Sequence, residues 1–333
     1  MAGKICPWQS IEGVRVGSAV SESGLTGTSV LLFPHGAVGS AEARGFATGT
    51  RQMDSLSLTH TVEKIFGLVV SGGSVFGLAA ASAVVRELNE RNIGLFTGTT
   101  SIPVVPTAVI YDLSFKENVG MDYHDLGRKA VADALSDEGR NNLEGAGAGA
   151  SVGKILGIES ATKTTKGIGL RLADEGYAIG SMMVLNAFGD VYDKSGEIIA
   201  GVRLSGKSGY GNTRKMFLEG YTRKPFGGMD STTITVVVTD ALLEKKEHYI
   251  VASQLNNFLS SHIRPYGSIF DGDIVFSLST GKKKRVENLM KFIAMTEEVT
   301  YESLTSAVFS AKSRGGLPCA REITGRGGNI GGN

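Results

Sequence analysis

The sequence lacks the residues that define several common classes of protein. Its two cysteines, Cys6 and Cys319, lie near opposite ends of 333 residues, which is too few for a disulfide framework and gives no metal-ligand spacing. The five histidines form no close pair, so zinc is unsupported. Lysine and arginine (34) nearly balance aspartate and glutamate (33), so no charged surface favours nucleic acid or an anionic membrane as a partner. We expect no metal and no cofactor.

One uncharged stretch has the length of a membrane span but contains a turn. From Ile65 to Val85 there is no charged residue, yet the segment 71–74 reads SGGS. The pattern favours a strand IFGLVV, a turn and a helix that ends before Gly94. The first residues, MAGKICPWQS, have no apolar core of the kind found in signal peptides. We therefore expect a cytoplasmic protein.

Glycine is abundant, with 46 residues scattered through apolar segments, which indicates tight turns and close backbone contacts. Strands and helices alternate without a repeated unit, so we expect one α/β domain over 1–333 with helices packed on sheets. Residues 204–231 show no period and are interpreted as an exposed, partly mobile loop. Two helices are predicted between the strand IVFSLST and about Arg314, and the tail GRGGNIGGN is expected to fray.

The stretch FGGMDSTTITVVVTDALL places hydroxyl groups where a glycine-bearing loop becomes a strand. Alternation puts Thr232, Ile234, Val236 and Val238 on the more apolar face. If the peptide bond before Thr232 is cut, the new α-amine, with a pKa of roughly 8, can serve as the base for its own hydroxyl. The alternative is structural, because threonine is common in strands and Asp-Ser-Thr is ordinary turn chemistry.

Other motifs have rival interpretations. GAGAGA formally fits a dinucleotide fingerprint, but SDEGRNNLE before it is not a strand, and the phosphate-loop pattern fails at Ala148 and Ile155. Asp271 and Asp273 flank Gly272, but Lys282 stands where a calcium loop needs glutamate. Neither a nucleotide nor calcium is therefore expected.

Several stretches in the same order resemble the N-terminal-nucleophile hydrolases that include the L-aminopeptidase/D-esterase/amidase, the β-peptidyl aminopeptidases and the endo-type 6-aminohexanoate-oligomer hydrolase. They are GVRVGSA, ARGFATGTRQMD, VVSGGSVFGLAAASAVVREL, AVIYDL, GAGAGASVGK, VLNAFGDV, TTITVVVTDALL and DGDIVFSLSTG. The resemblance implies an α/β fold of the αββα layered-sandwich type, like that of the aminopeptidases and the ornithine acetyltransferases.

The resemblance also implies where the chain cuts itself. The family cleaves before a Ser or Thr that opens the strand leading to a T-D-A motif, which places the nucleophile at Thr232 and the cut after Ser231. Ser231 and Thr233 are the rival positions if the register is wrong. The products would be a larger fragment, 1–231, and a smaller fragment, 232–333.

Further site residues follow from the same comparison. Asn186 of NAFG would donate to an oxyanion, and Lys154 would anchor the acidic pair or lower the pKa of the nucleophile. Tyr111 would bind the substrate carbonyl, and Asp271 and Asp273 would hold the amine or relay its proton. The structural alternatives are a turn asparagine, a solvated lysine, a strand tyrosine and an Asp-Gly turn.

The expected function is therefore a self-cleaving amide hydrolase acting through a threonyl acyl-enzyme. Its partners would be a small peptide or amide substrate and the two processed fragments, with heterodimers forming a homo-oligomer as in the family. An acyltransferase that uses the same ester and a non-processing assembly or binding protein are the alternatives. Ser231 departs from the family, because the residue before the cut is Asn in the oligoamide hydrolase and Gly in the aminopeptidase.

Overall fold

A computed structural model of the chain describes residues 7–136, 144–206, 209–221 and 231–325. The helices are α1 (Ala79–Glu90), α2 (Tyr123–Leu135), α3 (Thr213–Leu218), α4 (Lys245–His262), α5 (Leu289–Phe309) and α6 (Ala320–Thr324). The strands are β1 (Arg15–Val20), β2 (Gly27–Ala43), β3 (Gly49–Arg51), β4 (Lys64–Ser71), β5 (Leu95–Phe96), β6 (Ser101–Ile102), β7 (Thr107–Val109), β8 (Ser151–Val152), β9 (Thr162–Lys163), β10 (Lys166–Leu172), β11 (Ala178–Asn186), β12 (Asp190–Tyr192), β13 (Ile198–Ala200), β14 (Thr232–Thr239), β15 (Ile263–Arg264) and β16 (Ile274–Ser279).

Strand β2, which is 17 residues long, connects two halves of the main sheet. Within the described ranges this sheet has nine strands in the order β10-β11-β14-β16-β2-β4-β7-β3, with β1 also beside β2. The early part of β2 pairs with β4 and its end pairs with β16. The register shifts between Leu32 and Ala37, where Pro34 removes a backbone donor and Gly36 has a φ of 79°. The strand bends at this point and passes from one half of the sheet to the other.

The two halves bury a common core. Leu31 and Leu68 of one half join Val236 and Phe276 of the other in a single buried cluster. Helices α1 and α2 cover the outer face of the first half, and α4 and α5 cover the outer face of the second. The result is an αββα layered sandwich, so the predicted fold class is confirmed.

The segment after β16 forms one long helix, and the prediction of two helices was wrong. Helix α5 runs unbroken for 21 residues across the back of β10 and β11. Glycines in β10 permit this close packing, because a Cβ at Gly167 would lie 1.9 Å from the Ser303 carbonyl oxygen and one at Gly169 would lie 2.2 Å from that of Val299. Packing on the sheet therefore overrides the weak helix preference of the Thr and Val residues in its centre.

Residues 204–231 contain α3, so their interpretation as a loop was wrong for that part. Asn212 caps the helix by accepting a hydrogen bond from Lys215 N, and Met216 is buried. Residues 207–208 and 222–230 of the same stretch, and the GRGGNIGGN tail beyond Gly325, lie outside the described residues. Across the described ranges, every helix is too short or too polar to span a bilayer.

Candidate active site

The start of β14 lies next to the end of β11, in the middle of the second half of the sheet. Asn186, the last residue of β11, pairs with Thr232, the first of β14, so their side chains share one face. Ile234, Val236 and Val238 point into the inner core, as the alternation predicts. Thr232 is only 4% exposed and Ser231 only 1%, which is unusual for the hydroxyl residues of an ordinary surface turn.

The carbonyl group of Ser231 receives two hydrogen bonds. The hydroxyl of Thr232 lies 2.5 Å from this oxygen and donates to it. The backbone N–H of Gly272 donates to the same oxygen from 3.0 Å. A hydroxyl and a fixed amide thus converge on the peptide group that the sequence predicts to be cut.

Gly272 has to be a glycine at this position. A Cβ there would lie 2.8 Å from the Thr232 hydroxyl oxygen and 2.7 Å from the carbonyl oxygen of Ala47. Only a residue without a side chain lets the 271–273 segment come close enough to bind the Ser231 carbonyl. The sequence interpretation treated this glycine only as part of an Asp-Gly turn.

Asn186 is held in one orientation by several donors. Its Oδ1 accepts from Lys154 Nζ at 2.7 Å and from Ser151 N at 3.1 Å, while its Nδ2 donates to the carbonyl of Tyr111 at 3.2 Å. Lys154, only 1% exposed, also donates to the Asn186 carbonyl at 3.1 Å. Because two donors hold Oδ1 on the side of Ser151 and Lys154, the orientation of Nδ2, the donor group of this amide, is fixed as well.

The acidic pair binds backbone donors on both sides of the nucleophile. Asp273 Oδ1 accepts from Thr233 N at 2.6 Å, and its Oδ2 accepts from Gly267 N at 2.8 Å. Asp271 Oδ1 accepts from Phe188 N at 3.0 Å, and its Oδ2 accepts from the Ser268 hydroxyl. These contacts connect the carboxylates to the residue after Thr232 and to the turn after Asn186.

Burial shifts the protonation of this pair. It raises the pKa of Asp271, although the Ser268 and Phe188 donors and the charge of Lys154 act in the opposite direction. Burial, and then the charge of Asp271, raises the pKa of Asp273 well above its usual range. Two buried carboxyl groups this close therefore retain a proton to higher pH than free aspartates do.

The structure brings the predicted site residues together. Asn186, Lys154, Asp271 and Asp273 are buried and interact with one another, and Thr232 is buried beside Asn186 on the neighbouring strand. Tyr111 joins the group through its backbone carbonyl, and the function of its hydroxyl stays a prediction. The residues that sequence reasoning missed mostly contribute backbone N–H groups, which leave no signature of side-chain type.

Asp112, which follows Tyr111, is a buried carboxylate behind the site. Its Oδ1 accepts from Gly73 N at 2.8 Å, and its main-chain carbonyl accepts from Asn118 Nδ2 at 2.8 Å. Burial raises the pKa of Asp112 from 3.8 to about 6, with only partial compensation from its hydrogen bonds. The folded chain therefore binds this proton more tightly than the unfolded chain does.

Replacing Asp112 with asparagine is expected to change how stability depends on pH. Because the folded-state pKa is raised, the free energy of unfolding increases as pH falls from about 6 toward about 4. Above pH 6 the ionised Asp112 lowers the free energy of unfolding by its full amount, about 3 kcal/mol. The Asp112→Asn chain loses this contribution, so its stability relative to the parent should rise between pH 4 and 6 and then level off. Urea unfolding of both chains at pH 4.5 and 7.5 measures this difference. Both chains carry Thr232→Ala, so that the expected self-cleavage does not occur. A stability difference that is the same at the two pH values would contradict the prediction.

Solved structures with the same architecture identify the fold class. The chain is similar to a β-aminopeptidase of Burkholderia sp., with a TM-score of 0.68 and 16% identity over 93% of this chain and 89% of that one. It is also similar to the L-aminopeptidase D-Ala-esterase/amidase of Ochrobactrum anthropi, with a TM-score of 0.66 and 16% identity over 96% of this chain and 90% of that one. The latter is described as a variant of the Ntn hydrolase fold. The layered sandwich of this chain thus has the fold of these two enzymes.

Sequence comparison then gives the family. The profile of peptidase family S58 matches residues 9–328, and the chain belongs to this family. It is therefore an enzyme that hydrolyses peptide bonds. An uncharacterized aminopeptidase of Mycobacterium leprae is 29% identical over 96% of this chain and 94% of its own length. A 6-aminohexanoate-oligomer endohydrolase of Kocuria sp. is 30% identical over 80% of this chain and 73% of its own length. The resemblance deduced from the ordered motifs is confirmed.

Proposed function

We propose that the chain cuts itself between Ser231 and Thr232 and that Thr232 then hydrolyses amide bonds through a threonyl ester. The observation that carries this proposal is the 2.5 Å separation between the Thr232 hydroxyl oxygen and the Ser231 carbonyl oxygen, to which Gly272 N–H also donates. This geometry supports the proposal, because a hydroxyl group and a fixed amide N–H both contact the carbonyl of one peptide bond in the uncut chain.

The self-cleavage is an acyl shift followed by hydrolysis. The Thr232 Oγ1 attacks the Ser231 carbonyl carbon, and negative charge develops on the oxygen that Gly272 N–H binds. The C–N bond breaks, and the proton from the hydroxyl ends on the departing nitrogen. Ser231 is then esterified to Thr232 Oγ1, and water releases a carboxylate at Ser231 and restores the hydroxyl.

The second reaction repeats this chemistry on a substrate. The freed amine of Thr232 takes the hydroxyl proton, so that Oγ1 can attack the substrate carbonyl. Gly272 N–H, which binds the Ser231 carbonyl in the uncut chain, and Asn186 Nδ2, on the strand beside Thr232, are the donors proposed for the reacting oxygen. Asp271 and Asp273 retain and return protons beside the amine, because burial raises the pKa of both.

The two fragments would stay together after the cut. Strand β14 of fragment 232–333 pairs with β11 of fragment 1–231, and β16 of the smaller fragment pairs with β2 of the larger. Helices α4 and α5 also pack on strands of both fragments. A threonine nucleophile, an Asp-x-Asp pair and the endohydrolase relative together favour linear oligoamides, or peptides with a free amino terminus, as substrates. Association of such heterodimers into a larger oligomer is part of the same proposal.

Intact mass and terminal sequencing of the purified chain test the proposal. We expect two fragments in place of one 35.0 kDa chain, with a new terminus that begins Thr-Thr-Ile-Thr. A persistent single chain would instead support a non-processing binding protein. Loading the mature enzyme with an ester substrate and adding an amine then separates the two reactions, because a hydrolase yields free acid and a transferase yields the new amide.

A further inference from the structure

Helix α3 precedes the proposed cut and is attached to the body of the protein at its first residue. The buried Asp190 accepts hydrogen bonds from Thr213 N at 2.6 Å and from Val202 N at 2.9 Å. Asp190 opens β12, shortly after Asn186 on the same chain segment. One carboxylate thus fixes both the entry to α3 and the strand region that follows the active-site asparagine.

An aromatic contact attaches the other end of α3. The Phe217 ring lies 5.9 Å from that of Phe188 and 6.5 Å from that of Phe270, nearly parallel to the latter at 7°. Phe188 and Phe270 stack on each other at 4.7 Å, and both are buried. Together with Ile155, Val202 and Met216, these rings form a separate small hydrophobic cluster.

Two rings of this cluster are linked directly to Asp271 of the candidate site. Phe188 N–H donates to Asp271 Oδ1 at 3.0 Å, and Phe270 is the residue before Asp271. Ser231 and Asp271 form a parallel bridge in which Gly272 N–H binds the Ser231 carbonyl. The peptide segment that holds the Ser231 carbonyl is therefore the same segment on which Phe217 rests.

The uncut chain is consequently fixed at both ends of residues 218–230. Phe217 anchors one end on Phe270, and the Ser231 carbonyl anchors the other on Gly272. The cut removes the covalent connection between α3 and Thr232, but it does not involve Phe188 and Phe270, so we expect their stacking and their support of Asp271 to persist. The anchor at Phe217 thus acts on the uncut chain and not on the finished site.

We propose that Phe217 is a positioning residue for self-cleavage, which keeps the bond before Thr232 on Gly272 and is dispensable once that bond is cut. This inference rests on the proposed self-processing. Without the ring, the connection to Ser231 is anchored by Asp190 at Thr213 instead of at Phe217, so it is four residues longer, and loop-closure entropy alone lowers docking of the carbonyl only about 1.5-fold. Loss of the ring contact itself, worth about two- to tenfold for an aromatic pair, supplies most of the expected effect.

The test compares processing with turnover in Phe217→Ala. We expect the uncut chain, made by cell-free synthesis with labelled methionine and sampled over time, to cleave about three- to tenfold more slowly than the parent. The kcat of the fully cut enzyme, per mole of smaller fragment, should stay within about twofold, because Phe188 and Phe270 keep their contact. Phe217→Tyr retains the ring and should restore the parental cleavage rate.

Leu218→Ala is the matched control, since Leu218 lies on the same helix, is 76% exposed and should leave both rates unchanged. The thermal midpoint of Phe217→Ala in the uncut Thr232→Ala background shows whether the variant folds. The inference is overturned if folded Phe217→Ala cleaves at the parental rate, or if kcat of the cut enzyme falls by the same factor as cleavage. Absence of fragments from the parent chain would instead overturn the proposed function itself.

Discussion

Replacing Thr232 with alanine is expected to leave a single 35.0 kDa chain with no amide-hydrolase activity. The hydroxyl 2.5 Å from the Ser231 carbonyl oxygen is the attacking group, and a methyl group cannot replace it. Gly272 N–H would still polarise the carbonyl, but without a nucleophile the peptide bond remains as inert as any other. Mass spectrometry after prolonged incubation and an assay with an amide substrate measure the two losses together.

Two neighbouring substitutions make the assignment of the nucleophile specific. Thr233→Ala should still process, because Thr233 contributes its backbone N–H to Asp273 Oδ1 and this group survives the change. Thr232→Ser should also process, since it retains a hydroxyl at the same place. Cleavage of Thr232→Ala at the parental position would show that the attacking group had been assigned wrongly, with Ser231 or Thr233 as the remaining choices.

The sequence predicted the architecture around this residue well, for physical reasons. The β-branched run from Thr232 to Thr239 has one conformation open to it, and its alternation correctly placed Ile234, Val236 and Val238 in the inner core. The αββα layering and the site residues were predicted from motifs that occur in the same order as in the family, and not from the alternation of apolar residues. Lys154, which the sequence also allowed to be a solvated side chain, proved to be almost fully buried on Asn186.

The features that the sequence did not reveal depend on contacts between distant segments. Gly272 acts through its backbone N–H, and its close approach to Thr232 is visible only in three dimensions. Helix α3 is short and without a clear period, and it is held by Asp190 and two distant phenylalanines. Helix α5 stays unbroken because glycines in β10 let it pack closely. Local propensity contains none of this information.

Replacing Asn186 with aspartate is expected to slow both self-cleavage and substrate hydrolysis about 10²- to 10³-fold, the usual cost of losing one oxyanion donor. An aspartate keeps the shape of the side chain and both acceptor contacts, those with Lys154 Nζ and Ser151 N. It removes both N–H groups of Nδ2, the group that donates to the Tyr111 carbonyl and that we propose as an oxyanion donor. The change therefore separates the loss of the hydrogen-bond donor at residue 186 from any change in side-chain volume.

Asn186→Leu provides the contrast that separates catalysis from stability. Leucine fills similar space but removes the side-chain acceptor of Lys154 Nζ and of Ser151 N, although Lys154 still donates to the main-chain carbonyl of residue 186, and losing a hydrogen bond to a charged group typically costs about 1.5–3 kcal/mol. We expect this variant to unfold at lower temperature than Asn186→Asp, which keeps both acceptor contacts and loses about 1–3 kcal/mol where a carboxylate oxygen faces the Tyr111 carbonyl. An Asn186→Asp chain that cuts itself and turns over at parental rates would mean that Asn186 only holds Lys154, and that Gly272 N–H alone stabilises the developing charge.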